Sequence, residues 1–406
     1  MLNVTNAQVR TIELSDVGGE EFIVFVNDRA FNVGPILYRV IQWLQEDRPF
    51  QEITQEINLE AGINVTESEL TELVNDNFDR LGITKSKDHV PLKRRSEYIY
   101  GKLSILDEEW VALISQPLRG LFKPAVFCTL AAIGIIATSV FYYLYGNWIS
   151  GQEYGSPAQV ILIYITLAAI FFFHEIGHTA AASNFDVKAK EIGFGFYFIF
   201  PVFFTDVTKI YALPKRKRII VNLGGVYFQL IVNTVLIVAW ALLPWSAEAA
   251  KIALTLLVST NTFVLLYSLN PFFRNDGYWI YSDFFNVKNM LIRGYAYPFQ
   301  LIGDLFKGKL KPVEIEWPLL IFAVANFVFI GSFAGVFLQS FSSLSAQLYD
   351  TAVDPDFFKN IGENKGFLLK CLFFYGVLGF FISRYWKMLL YRIDRYRAAK
   401  AIASKS

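Results

Sequence analysis

Two cysteines and three histidines are all that 406 residues hold of the side chains that most often bind metals, form disulfides or serve as nucleophile and base. Cys128 and Cys371 each fall inside a long apolar run rather than in a spaced motif. That pattern excludes a disulfide framework and a thiolate metal site, and leaves two buried structural thiols. Charge is scarce too: 18% of residues are charged against 54% apolar, and mean hydropathy is +0.37, more hydrophobic than a typical soluble domain. The charge that exists is uneven. Residues 1–83 carry five Lys/Arg against fifteen Asp/Glu, whereas 384–406 carry seven basic residues and one acidic. An acidic N-terminal part is unsuited to nucleic acid, whose phosphates demand a basic face. The first residues also lack the basic-then-apolar layout of a cleaved secretion signal, so the first eighty read as not exported.

What is abundant is long apolar sequence. Six runs suffice for a bilayer crossing, which takes about 20 helical residues: 124–146, 159–183, 219–243, 252–270, 317–341 and 366–382. Lys and Arg collect on the retained side of a membrane. Loops 147–157 and 244–250 have none and 342–365 has two, while 184–218 has seven and 271–316 has six. The alternation is consistent, and it places both termini in the cytoplasm of a multi-pass protein of the inner or plasma membrane. The expected fold is therefore a polytopic α-helical membrane protein with about six transmembrane helices and a small N-terminal α+β domain.

That domain occupies 1–83. Alternation in Val9–Leu14 and Phe22–Val26 predicts strands, and Asn27-Asp28 a turn before Ala30–Val33. Gly34-Pro35 opens a helix with Ile36, Leu37, Val40, Ile41 and Leu44 on one face, and Pro49 starts a second with Phe50, Ile53 and Ile57. Thr66 to Glu69 reads as a capping box for a third, followed by Leu70, Leu73, Val74, Phe78 and Leu81. Strands followed by three helices make a winged-helix-like unit. Residues 84–123 are expected to be a charged linker and an amphipathic approach to the membrane, 124–387 the helical core and 388–406 a basic tail.

The chemistry concentrates in Phe171-Phe172-Phe173-His174-Glu175-Ile176-Gly177-His178. His174 and His178, four apart on one helical face, can reach one metal, with Glu175 beside them: an H-E-x-x-H motif. Paired core histidines are the alternative, but an ionisable trio is expensive to bury in a transmembrane helix and marks function. A catalytic zinc takes three protein ligands and leaves a position for water. His89 lies in the linker and reads as a solvated surface residue. Asp276 in Asn270–Gly277 stands just past the end of the fourth run; Asp276-Gly277 can also be read as a loop turn, with Asp283 the next candidate. Zinc would acidify water and polarise a scissile carbonyl while Glu175 moves the proton. Asn222 and Gln229 on the third run are candidates to stabilise the oxyanion, or else to hydrogen-bond between helices.

His174 to His178 together with Asn270–Gly277 resembles the site-2 protease family of intramembrane zinc metalloproteases. The extended stretch Asn275–Met290 is similar to its branch of peptide zinc metalloproteases, found near peptide-modification and export genes. The resemblance spans about 110–300 and implies zinc (Zn2+) held by His174, His178 and Asp276, Glu175 as base, and a substrate or oxyanion role for Asn222, Gln229 and Asn270. Where many members have G-P-x-x-N, this chain reads Gly225–Gln229, so Gln229 would take the asparagine's place. Residues 193–207 resemble the family's membrane-reentrant hairpin, which would present substrate as an added strand. The N-terminal unit looks like a PqqD-like domain, the RiPP recognition element that binds leader peptides by strand addition. The expected function is maturation of a ribosomally made, bacteriocin-like peptide at the cytoplasmic side, with a leader peptide, membrane lipid and a peptide exporter as partners and no nucleic acid. Regulated proteolysis of a membrane-bound signalling protein, or a non-proteolytic binding or export role with structural zinc, are the alternatives.

Overall fold

Val9 and Ile12 are both buried and stand three apart, so the chain around Val9 is a short helix, α1 (Asn6–Arg10), where the alternation predicts a strand. The Gln45 amide donates to the carbonyls of Val9 and Ile12 and ends that helix. Strands β1 (Glu13–Gly18), β2 (Glu21–Val26) and β3 (Arg29–Val33) follow as an antiparallel sheet in that order, pairing Leu14 with Val24 and Val24 with Phe31. Asn27, at φ 48°, adopts the left-handed backbone between the second and third strands. Helices α2 (Pro35–Gln45), α3 (Phe50–Ala61) and α4 (Glu67–Leu81) cover one face. Val24, Ile41, Ile53, Val74 and Phe78 meet in a fully buried core, while Leu73, expected on the inner face, is exposed. The Thr66 and Glu69 side chains close the capping box at the start of α4, at 3.3 and 2.9 Å.

The structure is a computed structural model describing residues 6–18, 21–27, 29–83, 99–150, 157–197, 200–308, 315–353 and parts of 367–383. His89 and the linker around it lie outside these residues, as do the basic tail and parts of the sixth apolar run. The described residues form two compact units, 1–293 and 294–406. Between Ile99 and Phe122, where the sequence suggests only an amphipathic approach, the chain forms strand β4 (Ile99–Leu106) and helix α5 (Glu108–Leu118), which ends in a 3-10 turn. Asp107 caps α5 by accepting from the Trp110 amide.

Helices α6 (Pro124–Ser150) and α7 (Pro157–Ser183) come next, then the hairpin of β5 (Ile192–Tyr197) and β6 (Phe200–Thr205). The early strand β4 pairs antiparallel with β5, so the hairpin is part of a three-stranded sheet with β6 at its edge. A 3-10 turn at Thr208–Ala212 leads into α8 (Lys215–Leu242), followed by α9 (Glu248–Ser268), α10 (Asp276–Phe285), α11 (Met290–Phe306) and α12 (Trp317–Val353). The basic residues Lys215 to Arg218 thus form the first turn of α8 rather than a loop. Among the described residues five helices are long and apolar enough to cross a membrane: α6, α7 over Tyr164–Ser183, α8, α9 and α12. The protein is a polytopic helical membrane protein with a small N-terminal domain.

Candidate metal centre

Glycine sets the distance between the two helices that carry the site. A Cβ on Gly177 of α7 would stand 2.3 Å from the Gly224 carbonyl oxygen of α8, and one on Gly224 would stand 2.5 Å from the Gly177 oxygen. The two backbones therefore touch, which in lipid is the efficient way to hold helices together. Gly225 extends the same logic, because a Cβ there would lie 2.4 Å from the His174 ring. His174, one turn before His178, occupies the space that a missing side chain leaves.

Both imidazoles are 7% exposed, and each is oriented from behind. Nδ1 of His178 donates to the Val221 carbonyl at 2.8 Å, and Nδ1 of His174 donates to Gln229 Oε1 at 3.1 Å. With Nδ1 carrying the proton on both rings, the lone pairs sit on Nε2. These two atoms face each other at 3.1 Å. The third converging group is Asp276, with Oδ2 3.0 Å from His174 Nε2 and Oδ1 3.5 Å from His178 Nε2.

Asp276 is brought there by a loop that its own sequence stiffens. The Asn270 carboxamide oxygen accepts from the Phe272 amide at 2.8 Å, and the Asn275 side chain donates to the Tyr267 carbonyl at 3.0 Å. At Gly277 a Cβ would stand 2.0 Å from the Leu269 carbonyl oxygen, so only glycine lets α10 start against the end of α9. Asp276 is the first residue of that helix, where a carboxylate complements the dipole.

Three acceptor atoms aimed at one point repel unless a cation lies between them. Ligand atoms at 2.0–2.1 Å from a tetrahedral zinc stand roughly 3.3 Å apart; here the two Nε2 atoms are 3.1 Å apart, and each lies 3.0 or 3.5 Å from one of the two carboxylate oxygens of Asp276. Among the described residues this is the single group of three or more His, Cys, Asp or Glu side chains able to hold a metal. The donor set fits zinc, and its three protein ligands leave the fourth position that a catalytic site needs.

The group opens into a cavity of about 870 Å3 lined by Glu175, Asn222, Phe263, Tyr267 and, on one wall, residues 201–205 of β6. Thr205 donates to the Glu175 carbonyl at 3.4 Å and ties that strand to α7. Residues 162–349 match the model of peptidase family M50. The chain carries an M50 peptidase domain. It is a metallopeptidase of the site-2-protease kind, and zinc is its cofactor. Over 205 residues, 48% of this chain and 76% of the relative, it is 27% identical to the "Putative peptide zinc metalloprotease protein YydH" of Bacillus subtilis (strain 168). No solved structure matches it.

The other sequence candidates separate. Asn222 faces the cavity. Gln229 is 1% exposed and sits behind His174, its carbonyl oxygen engaged by the ring, so the structure gives it the imidazole rather than an oxyanion. Asn270 is used by its own loop. Asp283, the alternative third ligand, is taken by Arg218, whose Nε and Nη2 lie 3.0 and 2.7 Å from Oδ1. Sequence reasoning missed Arg218 because it ends a Lys-Arg-Lys-Arg run that looks like a solvated charge cluster. It is 4% exposed and also reaches Glu21 of the N-terminal domain at 3.6 Å, and Lys209 lies 3.7 Å from Glu13. Nearby Tyr211 has its hydroxyl pushed up to about 12 by burial and by Asp283, so it stays protonated. The N-terminal domain is thereby ion-paired to the cavity wall.

Proposed function

We propose that this protein is a membrane-embedded endopeptidase that matures a ribosomally made peptide at the cytoplasmic face, removing a leader held by residues 1–83. The observation that carries this reading is the outer edge of β6. It ends the three-stranded sheet, its residues 201–205 form a cavity wall, and Thr205 fastens it beside Glu175. An extended peptide added to that edge would hydrogen-bond along its backbone and lay a peptide bond against the site. An unfolded peptide suits this mode better than a folded protein.

When bound, zinc lowers the pKa of water and polarises a carbonyl. His174, His178 and Asp276 would hold it, and Val221 and Gln229 fix the two rings through their Nδ1 protons. Glu175 takes a proton from the attacking water and returns it to the leaving amine. Asn222, on the cavity wall, is placed to donate to the charge that develops on the scissile oxygen. The N-terminal sheet, ion-paired to the cavity wall, keeps a bound leader within reach of the site, and a peptide exporter would remove the product. The arginine and lysine asymmetry of the loops supports cytoplasmic termini.

The test is to purify the full chain, measure bound zinc, and incubate native and Glu175→Gln forms with peptides encoded beside the gene. The native form should cleave, and Glu175→Gln should keep its zinc and lose about 10²–10⁴-fold in rate. A variant that cleaves at the native rate removes Glu175 as the base. Full zinc with no cleavage of any neighbouring peptide removes the maturation role.

A further inference from the structure

Helix α11 (Met290–Phe306) presents exposed faces of opposite character. Ile292, Tyr295, Phe299, Ile302 and Phe306 follow one another at spacings of three and four, so they share one stripe, and they are 49–86% exposed. Arg293, Gln300 and Asp304 fall on an adjoining side of the same helix, Lys307 follows its last turn, and all four are exposed too. A soluble helix turns its apolar stripe inward. Here the inward side is a third one: Gly294 is buried, and a Cβ on it would lie 3.3 Å from Phe322 of α12.

What covers the stripe follows from its neighbour. Tyr295 and Phe299 approach the Phe327 ring of α12 at 6.2 and 5.9 Å between centroids. Phe327 belongs to a row on α12 with Ile321, Val324 and Val328, 38–64% exposed. Because α12 crosses the membrane, that row faces hydrocarbon, and the α11 stripe continues it without a polar break. The Tyr297 hydroxyl accepts from the Glu316 amide at the foot of α12, which fixes α11 at the end of the span.

We infer that α11 is an in-plane interfacial helix whose partner is the lipid bilayer, with the stripe from Ile292 to Phe306 bedded at the acyl–headgroup boundary and Arg293, Gln300, Asp304 and Lys307 in water. Such helices bury an apolar face about 5–10 Å into that boundary and keep a charged face outside.

The inference is tested without using proteolysis. In the full chain with Cys128→Ala and Cys371→Ala, a nitroxide is attached in turn at Phe299→Cys, Ile302→Cys, Gln300→Cys and Asp304→Cys. Each protein is reconstituted into phosphatidylcholine and phosphatidylglycerol vesicles, with zinc content as the check on folding. Collisions with oxygen relative to a water-soluble nickel chelate should be several-fold higher at 299 and 302 than at 300 and 304. Equal ratios at all four positions overturn the proposal, and so does protection of 299 and 302 from both reagents, which means that protein covers the stripe. Neither outcome touches the reading of Glu175, and loss of the Glu175 role leaves the collision ratios unchanged.

Discussion

The N-terminal domain and the helical core differ in what they add to a buried apolar interior. In the domain the inside is apolar, from Val24 to Phe78, and Thr54 is its one buried polar residue among those described. In the core the inside is apolar too, with Ile176, Val221 and Phe228, but Val235, Leu242, Phe263 and Leu266 face outward while Gln229, Asn233, Thr255 and Asn261 are buried. Asn261 donates to the Gln229 carbonyl and to Asn233 Oδ1 at 2.9 and 2.8 Å, and Asn233 donates to Thr262 at 2.8 Å. Water drives the first arrangement, since removing apolar area from it is favourable. Lipid offers no such gain between helices, and contact between glycines together with hydrogen-bonded amides takes its place. The amide chain runs up to His174, so the groups that hold the core together also orient the metal site.

The largest expected effect that separates the regions is in the aqueous domain. Phe78→Ala should cost about 3–5 kcal/mol there, seen as lost amide-exchange protection across 36–81, with zinc content unchanged. If zinc falls in parallel, the two regions fold as one. In the core, Gln229→Leu keeps the volume and removes the acceptor from His174. It should weaken zinc binding or activity about 10–100-fold while leaving protection of residues 36–81 intact. Native zinc affinity in that variant would mean that packing against Gly225 alone orients the ring. The smallest effect concerns Glu69, whose carboxyl is held below its ordinary value by the Thr66 backbone and side-chain hydrogen bonds. A depressed pKa in the folded state gives stability above the unfolded value that is lost as pH falls through the folded one. Protection of α4 should thus fall on acidification below the ordinary value of 4.5, and Glu69→Gln should flatten that acid limb.

Periodicity and punctuation made much of this architecture legible. Pro35, Pro49 and the Thr66 capping box announce three helices, and uncharged length announces the spans. The two-histidine motif and the loop ending in Asp276-Gly277 could be read because their chemistry is local. What stayed hidden depends on partners far along the chain. Strand β4 pairs with β5 some ninety residues later, so nothing within 99–106 marks it as a strand in a sheet. The burial of Arg218 is visible only once Asp283 is opposite it. Val9 alternates like a strand residue, but the Gln45 amide and burial with Ile12 decide for a helix. Gly177, Gly224 and Gly225 are ordinary in a membrane run until the neighbouring backbone is in place.

The contact between Gly177 and Gly224 also orders the birth of the protein. Once α7 and α8 have entered the membrane, nothing wider than a hydrogen separates them at this level, and the two imidazoles already face one way. The third donor emerges from the ribosome only after α9 has followed. A nascent chain interrupted between α8 and α10 would present a paired-histidine half-site to the cell's metals, and Asp276 is the part whose arrival closes it.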